Sequence, residues 1–383
     1  MKILIVHNNY GKYSGEEAVV DKMADMLTSH GHEVAFYRRT TEGVRESAVG
    51  KIKGFLSGIY SSSGVRGMWD ALRRERPDIV NVHNLYPFIS PAALFECKKA
   101  GVPVVMTIHN FRLICPTGLF MRDGLPCEVC LERGNEWSCV RYNCEYSRLK
   151  SIGYTLRNVY ARWTGAYRKN VAAFACITDF QRQKLIAAGY EAERVTVIPN
   201  GIDAPASYDL TGGNYVAYIG RLSYEKGYDL LIEVARRNPS IPFRFAGAKR
   251  EQSDMEIPGN VEFMGYLQKE ELSDFICHSR FVVMPSRCYE GFPMAILEAA
   301  CYGKPTIGPA HGGFTEIIGR GEQAIGDLFE PNNLDDLERK VVSLWNRPDE
   351  IARLGEKAFE KLKREYSSEV IYQKWDSLFQ KLV

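Results

Sequence analysis

At 383 residues, 45% of them apolar and 25% charged, the chain is long enough for two ordinary domains and is excluded from the disordered and fibrous classes. Lys and Arg number 49 against 47 Asp and Glu, a net charge of +2, so there is no global pull on polyanions and nucleic acid is not an expected partner. The opening run Met1–His7 is too short for a signal-peptide core, and no stretch approaches the ~20 apolar residues of a membrane span. A cytoplasmic location is therefore expected, with the 10 cysteines as thiols or metal ligands.

Short β-branched runs alternate with longer helix-patterned stretches. Ile3–Val6, Val34–Tyr37, Ile79–Val82, Val104–Ile108 and Phe174–Thr178 are predicted strands. Strands that alternate with helices form right-handed βαβ units in a parallel sheet and take ligands at their carboxyl ends. The loop Tyr10–Glu17 follows the first strand, with Gly15 serving either close approach of a ligand or an ordinary turn and helix cap. His7-Asn8, His83-Asn84 and His109-Asn110 each close a strand. Together they could form one polar wall, while any single histidine could be purely structural; His109 is the favoured functional one.

A cysteine-rich insert spans about 115–145. Cys127 and Cys130 form a Cys-x2-Cys pair, and Cys139 and Cys144 a wider second pair. Four thiolates suit a closed, structural zinc site, with free thiols or a disulfide as the alternatives and Cys115 as a fifth candidate. In 148–170, Leu149, Ile152, Leu156, Val159, Tyr160, Trp163 and Tyr167 recur at helical spacing. Arg148, Lys150, Arg157, Arg162, Arg168 and Lys169 accompany them without an acid. Such a helix suits an anionic bilayer surface, or else packs on a core with its basic face solvated. Lys51–Ser63, with Lys53, Phe55, Leu56, Ile59 and Tyr60, could join it.

Pro199-Asn200-Gly201-Ile202-Asp203 punctuates the chain, and the strand series then restarts. Tyr215–Ile219, Phe243–Ala246, Val261–Phe263, Phe281–Met284 and Thr306–Ile307 are the second set. Gly220, Arg221, Lys226 and Gly227 follow its first strand, where two cations beside a helix start suit a phosphate. Glu290-Gly291-Phe292-Pro293-Met294 leads into a helix that carries Glu298 on an apolar stretch, where a buried carboxylate needs a partner. Asp335-Asp336 reads as a helix start, not a metal motif. The amphipathic Ser367–Leu382 reads as a terminal helix packed on the second domain.

The combination of Gly220-Arg221-Leu222, Lys226-Gly227, Glu290-Gly291-Phe292-Pro293…Glu298, Lys304-Pro305 and His311-Gly312-Gly313…Glu316 resembles glycosyltransferase family 4 over nearly the whole chain. That resemblance implies an α/β protein of GT-B fold, with two Rossmann-like doubly wound domains facing across a cleft. It places an acceptor domain at 1–200, a nucleotide-sugar domain at 201–366, and a terminal helix at 367–383 that crosses back to the first domain, against the simpler reading above.

The implied activity is retaining, metal-independent transfer of a sugar from a UDP- or GDP-sugar to a glycan or polyprenol-linked acceptor in cell-surface polysaccharide synthesis. By the same resemblance Arg221 and Lys226 neutralise the leaving diphosphate, Glu298 holds the ribose and Glu290 the donor sugar. His109 approaches the reacting carbon. Gly15, Gly220, Gly291, Phe292, Pro293 and Met294 line the donor, with backbone amides at Phe292 and Met294. No catalytic cofactor is implied, and location would be cytoplasmic, peripheral on the inner face of the membrane. The rival readings are a nucleotide-sugar epimerase or hydrolase on the same fold, and a zinc-stapled binding protein built on a degenerate transferase.

Overall fold

A computed structural model describes residues 1–10, 14–42, 48–208, 212–249 and 255–383, with their side chains except those of 48–49, 51–53 and 269. The chain divides into two compact units. The first comprises Met1–Phe120, Glu128–Pro199 and Tyr372–Val383, and the second comprises Met121–Cys127 and Asn200–Ile371. The short hairpin of Met121–Arg122 and Leu125–Pro126 therefore groups with the second unit, although it lies inside the first-domain insert by sequence.

The first unit is built on β1 (Lys2–Asn9), β2 (Glu33–Thr40), β3 (Ile79–Asn84), β4 (Val104–Ile108), β5 (Ala173–Cys176) and β6 (Val195–Val197). They form one parallel sheet in the order β2-β1-β3-β4-β5-β6. Every residue of β3, β4 and β5 is buried, as expected for strands covered by helices on both faces. Helix α1 (Gly15–Ser29) follows β1, and Ser14 caps it by accepting the Glu17 N–H. Helices α2 (Ala48–Ile59) and α3 (Arg148–Thr164) pack against each other, the Phe55 ring resting where Gly153 lacks a side chain.

The second unit repeats the plan with β7 (Tyr215–Ile219), β8 (Phe243–Ala246), β9 (Val261–Gly265), β10 (Ser279–Val283), β11 (Thr306–Pro309) and β12 (Gly326–Phe329). Their parallel order is β9-β8-β7-β10-β11-β12. Helix α4 (Tyr228–Arg237) and α5 (Met294–Ala300) follow β7 and β10. Val216, Tyr218, Leu231, Phe243, Phe245, Phe281 and Phe329 fill a core between sheet and helices. All ten predicted strands are present. Within the two parallel sheets the sequence reading lacks only β6 and β12, of three and four residues, too few for a periodic signal; it also lacks the two-residue strands of the 121–126 hairpin.

Strand order reverses once in each sheet, between β1 and β3 and between β7 and β10. At such a point the connections leave in opposite directions and open a crevice at the strands' carboxyl ends. His7, His83 and His109 sit at that end of the first sheet; Gly220-Arg221 and the 285–291 loop sit at that end of the second. The helix α6 (Ser368–Leu382) starts in the second unit, and from Tyr372 onward it belongs to the first. There Tyr372 stacks on His30 with ring centroids 3.5 Å apart, and its hydroxyl meets His32 Nε2 at 3.1 Å. No helix among the described residues is long and apolar enough to cross a membrane.

Candidate functional site

In the second unit β7 ends at Gly220, and a single turn at Tyr224–Lys226 carries the chain into α4. Gly227, at φ +70°, begins that helix against the Pro285 carbonyl, where any side chain would collide. The close approach brings Lys226 to the loop after β10. Its Nζ lies 2.6 Å from Glu290 Oε1, and the Ser286 hydroxyl donates to the same oxygen at 2.5 Å. Burial alone would raise the Glu290 pKa, but the Lys226 ammonium and the two hydrogen bonds hold it below the ordinary carboxylate range. Burial likewise works against the Lys226 charge, and Glu290 more than restores it, so that pKa is raised. Arg221 is more open and reaches Glu225 at 3.3 Å.

Arg287, which the sequence reading passed over, fastens this corner. Its guanidinium donates to both Asp229 oxygens at 2.6 Å and to the Tyr224 carbonyl at 2.8 Å, and it stacks on the Tyr224 ring. It joins the start of α4 to the 285–291 loop. Glu290 is also held through its backbone, because its carbonyl accepts the Gly313 N–H at 2.9 Å. His311 is half-buried beside the Tyr289 ring, neither nitrogen hydrogen-bonded among the described residues, and desolvation lowers its pKa to about 4. Pro293 precedes α5, whose first residue is Met294; Phe292 is buried against Tyr366 and Glu298 is half-buried.

In the first unit the three His-Asn pairs divide their work. The asparagines tie backbone: Asn84 donates to the Asn8 carbonyl at 2.8 Å, Asn8 accepts the Phe88 N–H, and Asn110 accepts the Arg112 N–H. The histidines gather at the strand ends. His83 Nδ1 and His109 Nε2 are 2.8 Å apart, and the His7 ring stands edge-on to His83 with centroids 6.5 Å apart. Burial lowers the pKa of His7 and of His109 to about 4 and keeps all three rings neutral at pH 7. Tyr10, Glu16 and Arg112 flank them: Arg112 donates to the Tyr10 oxygen, and Tyr10 donates to Glu16, both at 3.0 Å. The sequence reading missed this trio, whose members lie up to 102 residues apart. Gly15 opens α1 in the open, with nothing within 4 Å of where a side chain would start. The neighbouring loop residues Gly11, Lys12 and Tyr13 lie outside the described residues.

Residues 13–204 match the model of glycosyltransferase family 4, and residues 204–361 match glycosyl transferases group 1. The chain belongs to glycosyltransferase family 4. It is 26% identical over 388 aligned positions to an uncharacterized 42.6 kDa protein in the cps region of Klebsiella pneumoniae, covering 90% of this chain and 96% of that one. It is 27% identical over 248 positions to the poly(ribitol-phosphate) alpha-N-acetylglucosaminyltransferase of Staphylococcus aureus, covering 56% of this chain and 47% of that protein. The crystal structure of Anabaena HepE in complex with UDP and glucose superposes with a TM-score of 0.69 at 17% identity, covering 100% of both chains. The two parallel sheets are thus those of the GT-B fold.

Among the described residues no group of three or more His, Cys, Asp or Glu side chains is placed to hold a metal ion; in the cysteine insert, Cys139 feels Cys144, Cys115 and Cys130 as neighbours. Cys127 groups with the second unit and these four with the first. The insert is held by polar ties to its surroundings. Arg162 Nε binds Glu136 at 2.9 Å, Thr155 donates to the Glu136 carbonyl, and Lys184 binds Glu128 at 2.6 Å. Cys139 is buried and hydrogen-bonded by the Cys144 thiol, which lowers its pKa.

Helix α3 does not pack through its apolar stripe with the basic face solvated; its small polar face is the buried one. Its buried residues are Ser151, Gly153, Thr155, Arg157, Asn158 and Ala161. Asn158 donates to the Arg112 carbonyl at 2.7 Å and Arg157 to the Pro116 carbonyl at 2.7 Å. On the opposite face Leu149 is 75% and Trp163 82% exposed. Arg157 is buried, whereas Arg162 and Arg168 are exposed yet tied to Glu136 and to the Ala188 carbonyl, and Arg148, Lys150 and Lys169 stand exposed without such ties among the described residues.

Proposed function

We propose that the protein transfers a sugar from a nucleoside diphosphate donor, UDP- or GDP-linked, to a glycan or lipid-linked glycan acceptor in cell-surface polysaccharide synthesis, with retention of configuration and without a catalytic divalent ion. The observation that carries this reading is the Lys226–Glu290 pair, set beside Arg221 where the strand order of the second sheet reverses. An ammonium has three N–H groups, so Lys226 can keep Glu290 and still meet a phosphate oxygen. Arg221 adds planar donors, and the two charges stabilise the diphosphate as the sugar–oxygen bond breaks. The second Glu290 oxygen is left for sugar hydroxyls, and Glu298 takes the ribose. His109 is assigned the approach to the reacting carbon of the donor sugar. Because attack and departure share one face of the ring, the leaving phosphate oxygen takes the acceptor's proton and no protein nucleophile is required.

Support for the polymer context comes from the Klebsiella relative in a cps region and the Staphylococcus poly(ribitol-phosphate) enzyme. UDP in the HepE crystal supports a uridine nucleotide as the first donor to try. A thermal-shift panel of UDP-, GDP- and ADP-sugars in EDTA tests the reading. One nucleotide should raise the melting temperature, and Arg221→Ala and Glu298→Ala should abolish the rise. A shift that needs magnesium, or that survives both substitutions, refutes it. An epimerase or hydrolase would turn over donor alone at full rate; the transferase needs the acceptor.

The outward face of α3 supports peripheral attachment to an anionic bilayer on the cytoplasmic side. Leu149 and Trp163 stand free with Arg148 and Lys150 beside them, and the exposed Leu56 and Tyr60 of the neighbouring 48–60 segment extend the patch. The protein should float with phosphatidylglycerol vesicles at low salt, and Leu149→Ser/Trp163→Ser should stay at the bottom of the gradient. Equal flotation of the two ends this part of the proposal.

A further inference from the structure

The His83–His109 contact allows two proton arrangements, and they present opposite faces to a ligand. In one, His83 Nδ1–H donates to His109 Nε2, and His109 carries its own proton on Nδ1. In the other, His109 Nε2–H donates to His83 Nδ1, and His83 carries its proton on Nε2. The heavy-atom distance of 2.8 Å fits both.

The surroundings of His83 separate them. Its Nε2 is sealed from solvent and has no hydrogen-bond partner. The charged and titratable groups felt there are His109, His7 and Arg38. His7 stands edge-on with its Nδ1 3.8 Å from Glu16 Oε1, and no hydrogen bond joins it to His83 among the described residues. A proton on His83 Nε2 would be an orphaned buried N–H, which folded proteins tolerate less than an unused acceptor lone pair. The first arrangement leaves only a lone pair there. His109, by contrast, is only partly buried; its Nδ1 has no partner among the described residues and is not among the sealed atoms. His83, His109, Asn110 and Arg112 line one small cavity at this sheet end, with Tyr86 and Tyr167 behind them.

We infer that His83 is a positioning residue that donates from Nδ1 to His109 Nε2 and so fixes His109 as an Nδ1–H donor, able to bind an oxygen of the donor sugar but not to act as a base. Burial of both rings, which lowers their pKa, keeps the pair in this neutral form at pH 7. The β3–β4 pairing sets the geometry, because residues 80–82 lie in register with 104–106 and carry the two strand ends side by side. The next same-face pair down repeats it: the Thr107 hydroxyl donates to Asn81 Oδ1 at 3.0 Å. The role given to the Nδ1–H rests on the donor-sugar reading of His109 above; the tautomer does not.

Long-range ¹⁵N–¹H spectra of ring-labelled histidine in the full-length protein read the tautomer, with His109→Asn identifying its signals among the 7 histidines. Wild type should show His109 as Nδ1–H. His83→Leu removes the donor and should return His109 towards Nε2–H, the form an unpaired imidazole prefers. His83→Asn, whose amide nitrogen sits where Nδ1 was, should restore the wild-type pattern. In calorimetric titrations at pH 7, His83→Leu should weaken UDP-glucose by about fivefold while leaving UDP unchanged, as expected for one neutral hydrogen bond to the sugar. His83→Asn should stay within about twofold of wild type. An Nε2–H signal for His109 in the wild type overturns the inference. So does a His83→Leu protein that keeps both the Nδ1–H signal and full UDP-glucose affinity. If wild type binds neither, the titrations use the nucleotide sugar that stabilises it in the thermal-shift panel; the donor reading fails only if none does, and the spectra decide the tautomer in either case.

Discussion

Removing Lys226 should destabilise the second unit by much more than removing Lys226 and Glu290 together. The two side chains are 19% and 12% exposed, and their charged atoms are 2.6 Å apart. At an effective dielectric of about 20 their attraction is ~6 kcal/mol, and desolvation of each ion, several kcal/mol, offsets most of it. The pair as a whole is therefore close to neutral, but either partner alone is a poorly solvated charge. Lys226→Met leaves Glu290 with only the Ser286 hydroxyl and the more distant Arg221. Loss of one partner from a fully buried pair costs roughly 3–5 kcal/mol, so about 2–4 kcal/mol is expected here.

Urea unfolding of wild type, Lys226→Met, Glu290→Gln and the double variant at pH 7 measures the coupling. The double variant should fall within about 1 kcal/mol of wild type, and the single-variant losses should fail to add by about 1.5 kcal/mol or more. For a unit of this size that corresponds to a melting-temperature drop of about 4–16 °C in Lys226→Met, recovered in the double. The pH window follows from the directions of the shifts. Glu290, held low, contributes above its unfolded pKa and loses that as pH falls through the folded value. Lys226, held high, contributes below its unfolded pKa and loses that as pH rises. The coupling should therefore be flat from about pH 5 to 10. Additive single variants, each costing under about 0.5 kcal/mol, would refute the argument.

Acid should weaken the fold through the desolvated histidines. His7, His109 and His311 have pKa values lowered to about 4, so the unfolded chain binds more protons below its own pKa of about 6.5. Stability contributed by each is intact above that value and falls by about 1.4 kcal/mol per pH unit between it and 4. Denaturation midpoints from pH 7.5 to 4.5 should slope accordingly and flatten in His311→Phe relative to wild type; an unchanged slope would mean that His311 titrates normally. Arg287→Lys keeps the charge but loses the forked contact with Asp229, so a loss of about 1–3 kcal/mol is expected in the same assay, with nucleotide affinity falling as the 285–291 loop loosens. A variant of wild-type stability would show that the fork is ornamental.

The Rossmann-like repeat was legible because it depends on local signals. β-branched runs such as Val104–Ile108 and glycines such as Gly227, required at φ +70°, carry their meaning within a few residues. The Arg221/Lys226 and Glu290/Glu298 motifs were equally readable as types and spacings. Their relation was not: the Lys226–Glu290 ion pair joins residues 64 apart, and only the β7–β10 adjacency brings them together. Arg287 and the Tyr10–Glu16–Arg112 chain were invisible for the same reason, since no local pattern marks a long-range polar contact.

Helix α3 shows the sharpest limit. Its sequence holds two stripes at helical spacing, an apolar one through Leu149, Ile152, Leu156 and Trp163 and a small polar one through Ser151, Thr155 and Asn158. Periodicity alone says that a helix forms with two unlike faces. Which face turns inward depends on what it meets, and here the neighbours offer the carbonyls of Glu136 and Arg112 as acceptors. The cysteine pairs show the same limit, because thiol spacing along the chain sets no distance between side chains until the backbone is placed. By itself, then, the sequence determined the strands, the two-fold repeat and the kinds of chemistry present. Tertiary structure alone decided which charges meet, which face is buried and which histidine leans on which, since those energies belong to contacts between distant segments.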